Sequence, residues 1–151
     1  MNKKILILML ITISVITSCS SSRNTTLSKG VDITKYKYVV FGKEQEGDRS
    51  LDDIVLMVQN EISERLEVVS PSKAKAIISS GGYVVSPHIN VQTQYWDGGH
   101  TFITISFYDY NTNQMIAVAK SSGIGLSISD DQSLAIKAIK KELKKIFPKD
   151  I

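Results

Sequence analysis

Two neighbouring stretches of alternating polarity, residues 83–95 and 101–109, restrict the fold of this chain more than any other feature. In the first, Tyr83, Val85, Ile89, Val91 and Tyr95 alternate with Ser86, His88, Asn90, Gln92 and Gln94. In the second, Ile103, Ile105 and Phe107 alternate with Phe102, Thr104, Ser106 and Tyr108. A period of two sends successive side chains to opposite sides, so each stretch predicts a strand with one apolar and one polar face. Asp97-Gly98-Gly99 between them is a hairpin signal. Paired residues must share a face. Setting Val91 opposite Ile105 and Ile89 opposite Phe107 aligns the apolar sets. That register pairs His88 with Tyr108, Asn90 with Ser106, Gln92 with Thr104 and Gln94 with Phe102. The loop then runs from Trp96 to His100.

Elsewhere the apolar period lengthens to that of a helix. Leu51, Ile54, Val55, Val58, Ile62 and Leu66 fall on one face, with Ser50 as a cap and Asp52 and Asp53 in the first turn. Leu134, Ala135, Ala138, Ile139, Leu143, Ile146 and Phe147 line a second helix from about Asp130 to Ile146, with Ser129 and Gln132 spaced as a capping box and Pro148 as the stop. Tyr36 to Phe41 reads as a first strand, Glu67-Val68-Val69 and Ala76-Ile77-Ile78 as short ones, and Gln114 to Lys120 as a last one with Ile116 and Val118 inward. The expected fold is α+β: an antiparallel β-sheet of about four to five strands with two amphipathic helices packed on one face.

The amino terminus carries a different kind of information. Lys3 and Lys4 precede the apolar run Ile5 to Ile11, and small and polar residues follow as far as Cys19. This is the layout of a secretory signal, and the dense apolar run is too short for the roughly 20 residues that span a bilayer. Ile16-Thr17-Ser18-Cys19 resembles the lipobox of bacterial lipoproteins, with Ile16 where leucine is usual. The resemblance implies that residues 1–18 are a signal peptide and that Cys19 becomes the lipidated N-terminus. Cys19 is the only cysteine, so lipidation leaves no thiol for a disulfide, a metal or catalysis. Ser20 in place of an acidic residue after the cysteine implies, by the same resemblance, the outer membrane with the domain facing the periplasm. Residues 19–30, rich in Ser, Thr and Asn, read as a lipidated, disordered tether. Residues 31–151 are then a single domain.

Processing also changes the charge. Losing Lys3 and Lys4 lowers Lys+Arg from 18 to 16 against 15 acidic residues, so a net charge of +3 falls to near +1. A near-neutral chain has no electrostatic case for nucleic acid.

Candidate chemistry is sparse. His88 and His100, the only histidines, lie twelve positions apart along the hairpin, too far for one metal on continuous strands. Gly-x-Ser-x-Gly is absent, and Gly81-Gly82 and Gly123-Ile124-Gly125 lack the lysine of a phosphate loop. Lys137, Lys140, Lys141, Lys144 and Lys145 form a solvated face of the last helix. No cofactor is implied. What remains is a surface: Trp96, the sole tryptophan, beside a polar sheet face carrying Gln94, Gln92, Phe102, Thr104, Tyr108 and His88. Amides mixed with aromatics suit contact with an envelope protein or a glycan. The expectation is a non-enzymatic interaction or structural domain anchored in the membrane by its N-terminal lipid. The alternatives are a carrier of a small apolar ligand and an envelope hydrolase of unrecognised site.

Tyr36-Lys37-Tyr38 in an early strand, Tyr108-Asp109-Tyr110-Asn111 at a late hairpin turn and a terminal helix ending in Phe147-Pro148 also make the mature chain similar to the domain-of-unknown-function 4136 family of bacterial lipoproteins. An Asp-Leu-hydrophobic strand before residue 80 is missing, and the Trp96-Asp97-Gly98-Gly99-His100 loop departs from that pattern. The family carries no established catalytic residues, so the resemblance implies none here.

Overall fold

The structure, a computed structural model, describes residues 19–42, 51–95 and 99–149. The expected signal peptide, residues 43–50 with the expected Ser50 cap, and Trp96-Asp97-Gly98 lie outside the described residues.

Six strands form one sheet. In chain order they are β1 (Ser20–Leu27), β2 (Tyr36–Val39), β3 (Glu67–Val68), β4 (Tyr83–Gln94), β5 (His100–Asp109) and β6 (Met115–Ile124). The spatial order is β1-β6-β5-β4-β2-β3. The four strands from β1 to β4 in that order are antiparallel, whereas β2 runs parallel to both β4 and β3. The sheet is therefore mixed, not purely antiparallel, and larger than expected. Parallel neighbours need a long crossover, and helices supply it: α1 (Asp52–Ser63) between β2 and β3, and α2 (Pro71–Ser79) between β3 and β4. A third helix, α3 (Ile128–Ile146), closes the chain.

Helices α1 and α3 lie on one face, as their periodicity requires. Leu51, Ile54, Val55, Val58, Ile62 and Leu66 are all buried, and so are Ala135, Ala138, Ile139, Leu143, Ile146 and Phe147. They meet Val85, Ile89, Val91, Ile103, Ile105 and Phe107 of the sheet in the main core. The space between helices and sheet is filled by these side chains, with Phe107 set edge-on to Phe147 at 5.2 Å.

Helix α2 replaces the strand expected at Ala76-Ile77-Ile78. Ser70 caps it by accepting from the Lys73 N–H, and Pro71 occupies the first turn, where a missing N–H costs nothing. Ala74, Ile77 and Ile78 then sit at helical spacing and pack on Val40, Val69 and Val84. Val40 and Val84 each directly adjoin a main-core residue, Val39 and Val85. Neighbours on a strand point to opposite sides, so α2 lies on the far face from α1 and α3.

The segment expected as a tether is not loose. Ser20–Leu27 pairs with β6 along its whole length, from Ser20 opposite Ile124 to Leu27 opposite Ala117. Its low hydrophobicity reflects an edge position, where polar side chains cost little. Two contacts tie it to α3: Thr25 donates to Glu142 Oε2 at 2.6 Å, and Arg23 Nε lies 3.3 Å from Glu142 Oε1.

Two smaller expectations also change. The α3 cap is Ser127, which accepts from the Asp130 N–H and donates to its carboxylate, so the capping box starts two residues before Ser129. The inward residues of β6 are Ile116, Ala117, Ala119, Ser121 and Gly123, while Val118 faces out. An irregularity between Phe107 and Tyr108 changes the parity there. Small residues are needed because α3 lies close: Ser121 donates to the Ala135 carbonyl, and a Cβ on Gly123 would collide with the Asp131 carbonyl oxygen.

Candidate functional site

The two-faced hairpin has the expected faces with a different register. His88 pairs with Ser106, Asn90 with Thr104, Gln92 with Phe102 and Gln94 with His100. The slip from expectation is two residues, so every side chain keeps its side. The strands reach Gln94 and His100, so the connection is residues 95–99, as long as the expected one and displaced by one residue.

The odd residues of β5 from Thr101 to Phe107 are buried, and the even ones reach solvent in part. Gln92, Gln94, Phe102, Thr104, Tyr108 and His88 therefore share one face, opposite α1 and α3. Trp96 lies outside the described residues, so its relation to that face is not part of the geometry. Phe102 stacks edge-on against His100 at 5.8 Å between ring centres. The histidines stand at Ser106 and Gln94 in the register, six steps or roughly 20 Å apart. Among the described residues, no three His, Cys, Asp or Glu side chains gather as metal ligands.

The register enlarges the surface beyond the hairpin. Phe102 pairs with Ser122, Thr104 with Lys120 and Ser106 with Val118. In β1, Ser22 then stands beside Ser122, Asn24 beside Lys120 and Thr26 beside Val118. The result is a lattice four strands wide: Gln92, Phe102, Ser122 and Ser22 in one row, Asn90, Thr104, Lys120 and Asn24 in the next, His88, Ser106, Val118 and Thr26 in the third. The two serines at the edge join at 2.8 Å. Lysine 120 carries the only formal charge in these rows. Among the described elements, α2 covers just the corner at Val84. The expected parity of β6, with Val118 inward, hid its part of the lattice, and nothing local signalled that of β1, which became visible only through its pairing.

A second cluster closes the far end of the sheet. Tyr36 donates to Asp109 Oδ2 at 2.9 Å, while Asp109 Oδ1 accepts from the N–H groups of Asn111 and Thr112 and from the Thr112 hydroxyl. Burial pushes the Asp109 carboxyl up, but these donors outweigh it and hold it below the usual range. Burial, and then the bond to Asp109, raise the Tyr36 phenol well above its ordinary value. The early Tyr-Lys-Tyr strand and the acidic turn thus meet in space. Every polar atom is committed to holding the turn, which marks this cluster as structural.

Buried carboxylates also join the helices. Glu61 of α1 receives Arg65 at 2.6 Å and Lys140 of α3 at 3.4 Å. Glu142 receives Lys145 at 2.8 Å besides Arg23 and Thr25. Burial pushes both carboxyls up, yet their cationic partners prevail and hold both below the ordinary value. Between α1 and α3 runs an open groove of about 560 Å³ lined by Ile54, Met57, Gln132, Ile136 and Lys137 among others.

No family model matches the chain, and no curated protein matches it. The fold is a mixed sheet with helices mainly on one face, and solved structures share it. PelC, a dodecamer from Paraburkholderia phytofirmans, superposes in one crystal form with a TM-score of 0.54 at 16% identity, over 85% of this chain and 99% of that one. A second crystal form gives 0.52 at 13% identity, over 87% and 100%. A PDZ domain protein from Parabacteroides distasonis gives 0.50 at 12% identity, over all of this chain and 41% of that one. At such identities the likeness is one of fold alone.

Proposed function

We propose that this chain is a lipoprotein of the bacterial cell envelope, processed before Cys19 and anchored there by lipid, whose domain acts without catalysis as an interaction or structural module. The outer membrane, with the domain on the periplasmic side, is the location we infer from Ser20. The observation that carries the reading is the four-stranded lattice of amides, hydroxyls and a few aromatics, left bare by α1 and α3 and nearly free of formal charge. Hydrogen-bonding side chains interleaved with aromatics suit a protein or glycan surface. The carrier alternative would need apolar space between helices and sheet, where Phe107, Ile105, Ile139 and Leu143 are packed instead.

Photo-crosslinking residues at Gln92 and Thr104, with a control at Lys141 on the solvent side of α3, test this in cells. Adducts shared by the two sheet positions and absent from the control are expected. Adducts equal at all three, or none at the sheet, would sink the reading. Labelled fatty acid should enter the wild type and not Cys19→Ala.

A further inference from the structure

We propose that one end of the sheet, beside Cys19, rests directly on the bilayer through Leu126, Ile128 and Tyr95; the inference depends on lipidation of Cys19. The register places these residues together. Ser21 pairs with Gly123, Gly123 with Thr101 and Thr101 with Thr93, forming one row across four strands. At about 4.8 Å per strand that row is roughly 14 Å wide. Everything just beyond it belongs to one end of the molecule: Cys19 and Ser20, the turn after Ile124, and the ends of the β4–β5 loop. Three of the large apolar side chains exposed to solvent lie here, Leu126 at 74%, Tyr95 at 55% and Ile128 at 43%.

The anchor has no slack. Cys19 is exposed and immediately precedes the first paired residue of β1. A single residue spans at most about 3.6 Å, so a lipid on Cys19 brings the headgroups to this end of the sheet. Arg23 and Thr25 hold β1 to Glu142 and keep the strand from peeling away as a tether. Tyrosine and aliphatic side chains suit the headgroup boundary, and their burial adds to the acyl chains. Charge argues for a zwitterionic surface. Among the described residues at this end there is no lysine or arginine, and Asp130 is exposed. The lysines of α3 begin nine residues further along the helix, about 13 Å away from its start, so they point at the periplasm.

The test uses the mature lipidated chain in vesicles of phosphatidylcholine and phosphatidylethanolamine. A nitroxide is attached at Leu126→Cys or, at the opposite end of β6, at Met115→Cys; acylated Cys19 offers no competing thiol. Both side chains are exposed, so neither substitution disturbs the core. The label at 126 should meet oxygen more readily than a nickel chelate, and the label at 115 the reverse, without change at high salt. Equal nickel access at both, or lipid contact at both, overturns the docking. Dipolar broadening between labels at 126 would assign that end to a second copy of the chain and overturn it as well. The mass of the same preparation reports acylation. An acylated protein with an aqueous 126 sinks the docking alone, whereas an unmodified Cys19 sinks the anchor and the docking together.

Discussion

The two faces of the β4–β5–β6 sheet are made by alternate residues of the same strands, yet they do opposite work. Ile103, Ile105 and Phe107 are fully buried beneath α1 and α3, while Phe102, Thr104 and Ser106 between them look outward. Burial of a large aliphatic or aromatic side chain stabilises by about 1.5–3 kcal/mol, whereas the outward neighbours contribute little beyond strand pairing. Stability is therefore concentrated on one side of the sheet, and the other is free to be shaped by a partner.

The largest effects belong to the helix-covered face. Phe107→Ala should cost about 4 kcal/mol, through lost burial and a cavity against Phe147, and a shift of the urea midpoint measures it. Glu61→Ala should cost about 3 kcal/mol, because it leaves the buried Arg65 guanidinium without its carboxylate, with Nε lacking a partner among the described residues and only the Phe147 carbonyl remaining to Nη1. Glu142→Ala should cost less, about 1–2 kcal/mol, because Arg23 and Lys145 are half exposed and stay hydrated. Its signature is local: amide exchange should accelerate in residues 21–27 while Ile105 and Ile139 stay protected. A uniform rise across the domain would refute the role given to Glu142 in holding β1.

Acid should act through the same carboxylates. Glu61, Glu142 and Asp109 have lowered pKa values in the fold. Their contribution is complete above the unfolded values of 4.5 and 3.8 and is lost as pH falls through the folded ones. The urea midpoint should thus be insensitive to these groups from pH 7 to 5.5 and drop below about pH 4, more shallowly in Glu61→Gln. The smallest effect is the most telling for function. Thr104→Ala should change stability by less than about 0.5 kcal/mol while weakening the crosslinks at Gln92. Loss of stability comparable to that of Phe107→Ala would erase the distinction between the faces.

How far each part was legible follows from the range of the interaction that made it. The face of each residue in β4 and β5, and the buried stripes of α1 and α3, were visible because a period of 2 or 3.6 is a local property. The hairpin register slipped by two because both alignments satisfy the same alternation and leave connections of equal length, so neither facing nor loop length separates them. Helix α2 runs where a strand is expected although Ser70-Pro71 announces it; nine residues with three packed apolar positions are too few for periodicity to outweigh β-prone Ile77-Ile78. Gly123 and Gly125 carry no local sign of their role, which is to let α3 approach the sheet.

By itself, then, the sequence determined the composition of two opposed sheet faces, two amphipathic helices and the signal-like leader ending at Cys19. All of these rest on neighbours within a few residues. The tertiary structure alone decided that Ser20–Leu27 is an edge strand instead of a tether, that β2 runs parallel to β4, and that Cys19 shares an end of the sheet with Leu126 and Tyr95. Those outcomes depend on partners 100 residues or more apart, such as Ser22 and Ser122 or Thr25 and Glu142. Such pairings carry no local period, because a polar strand reads like a loop until the edge that accepts it is in place.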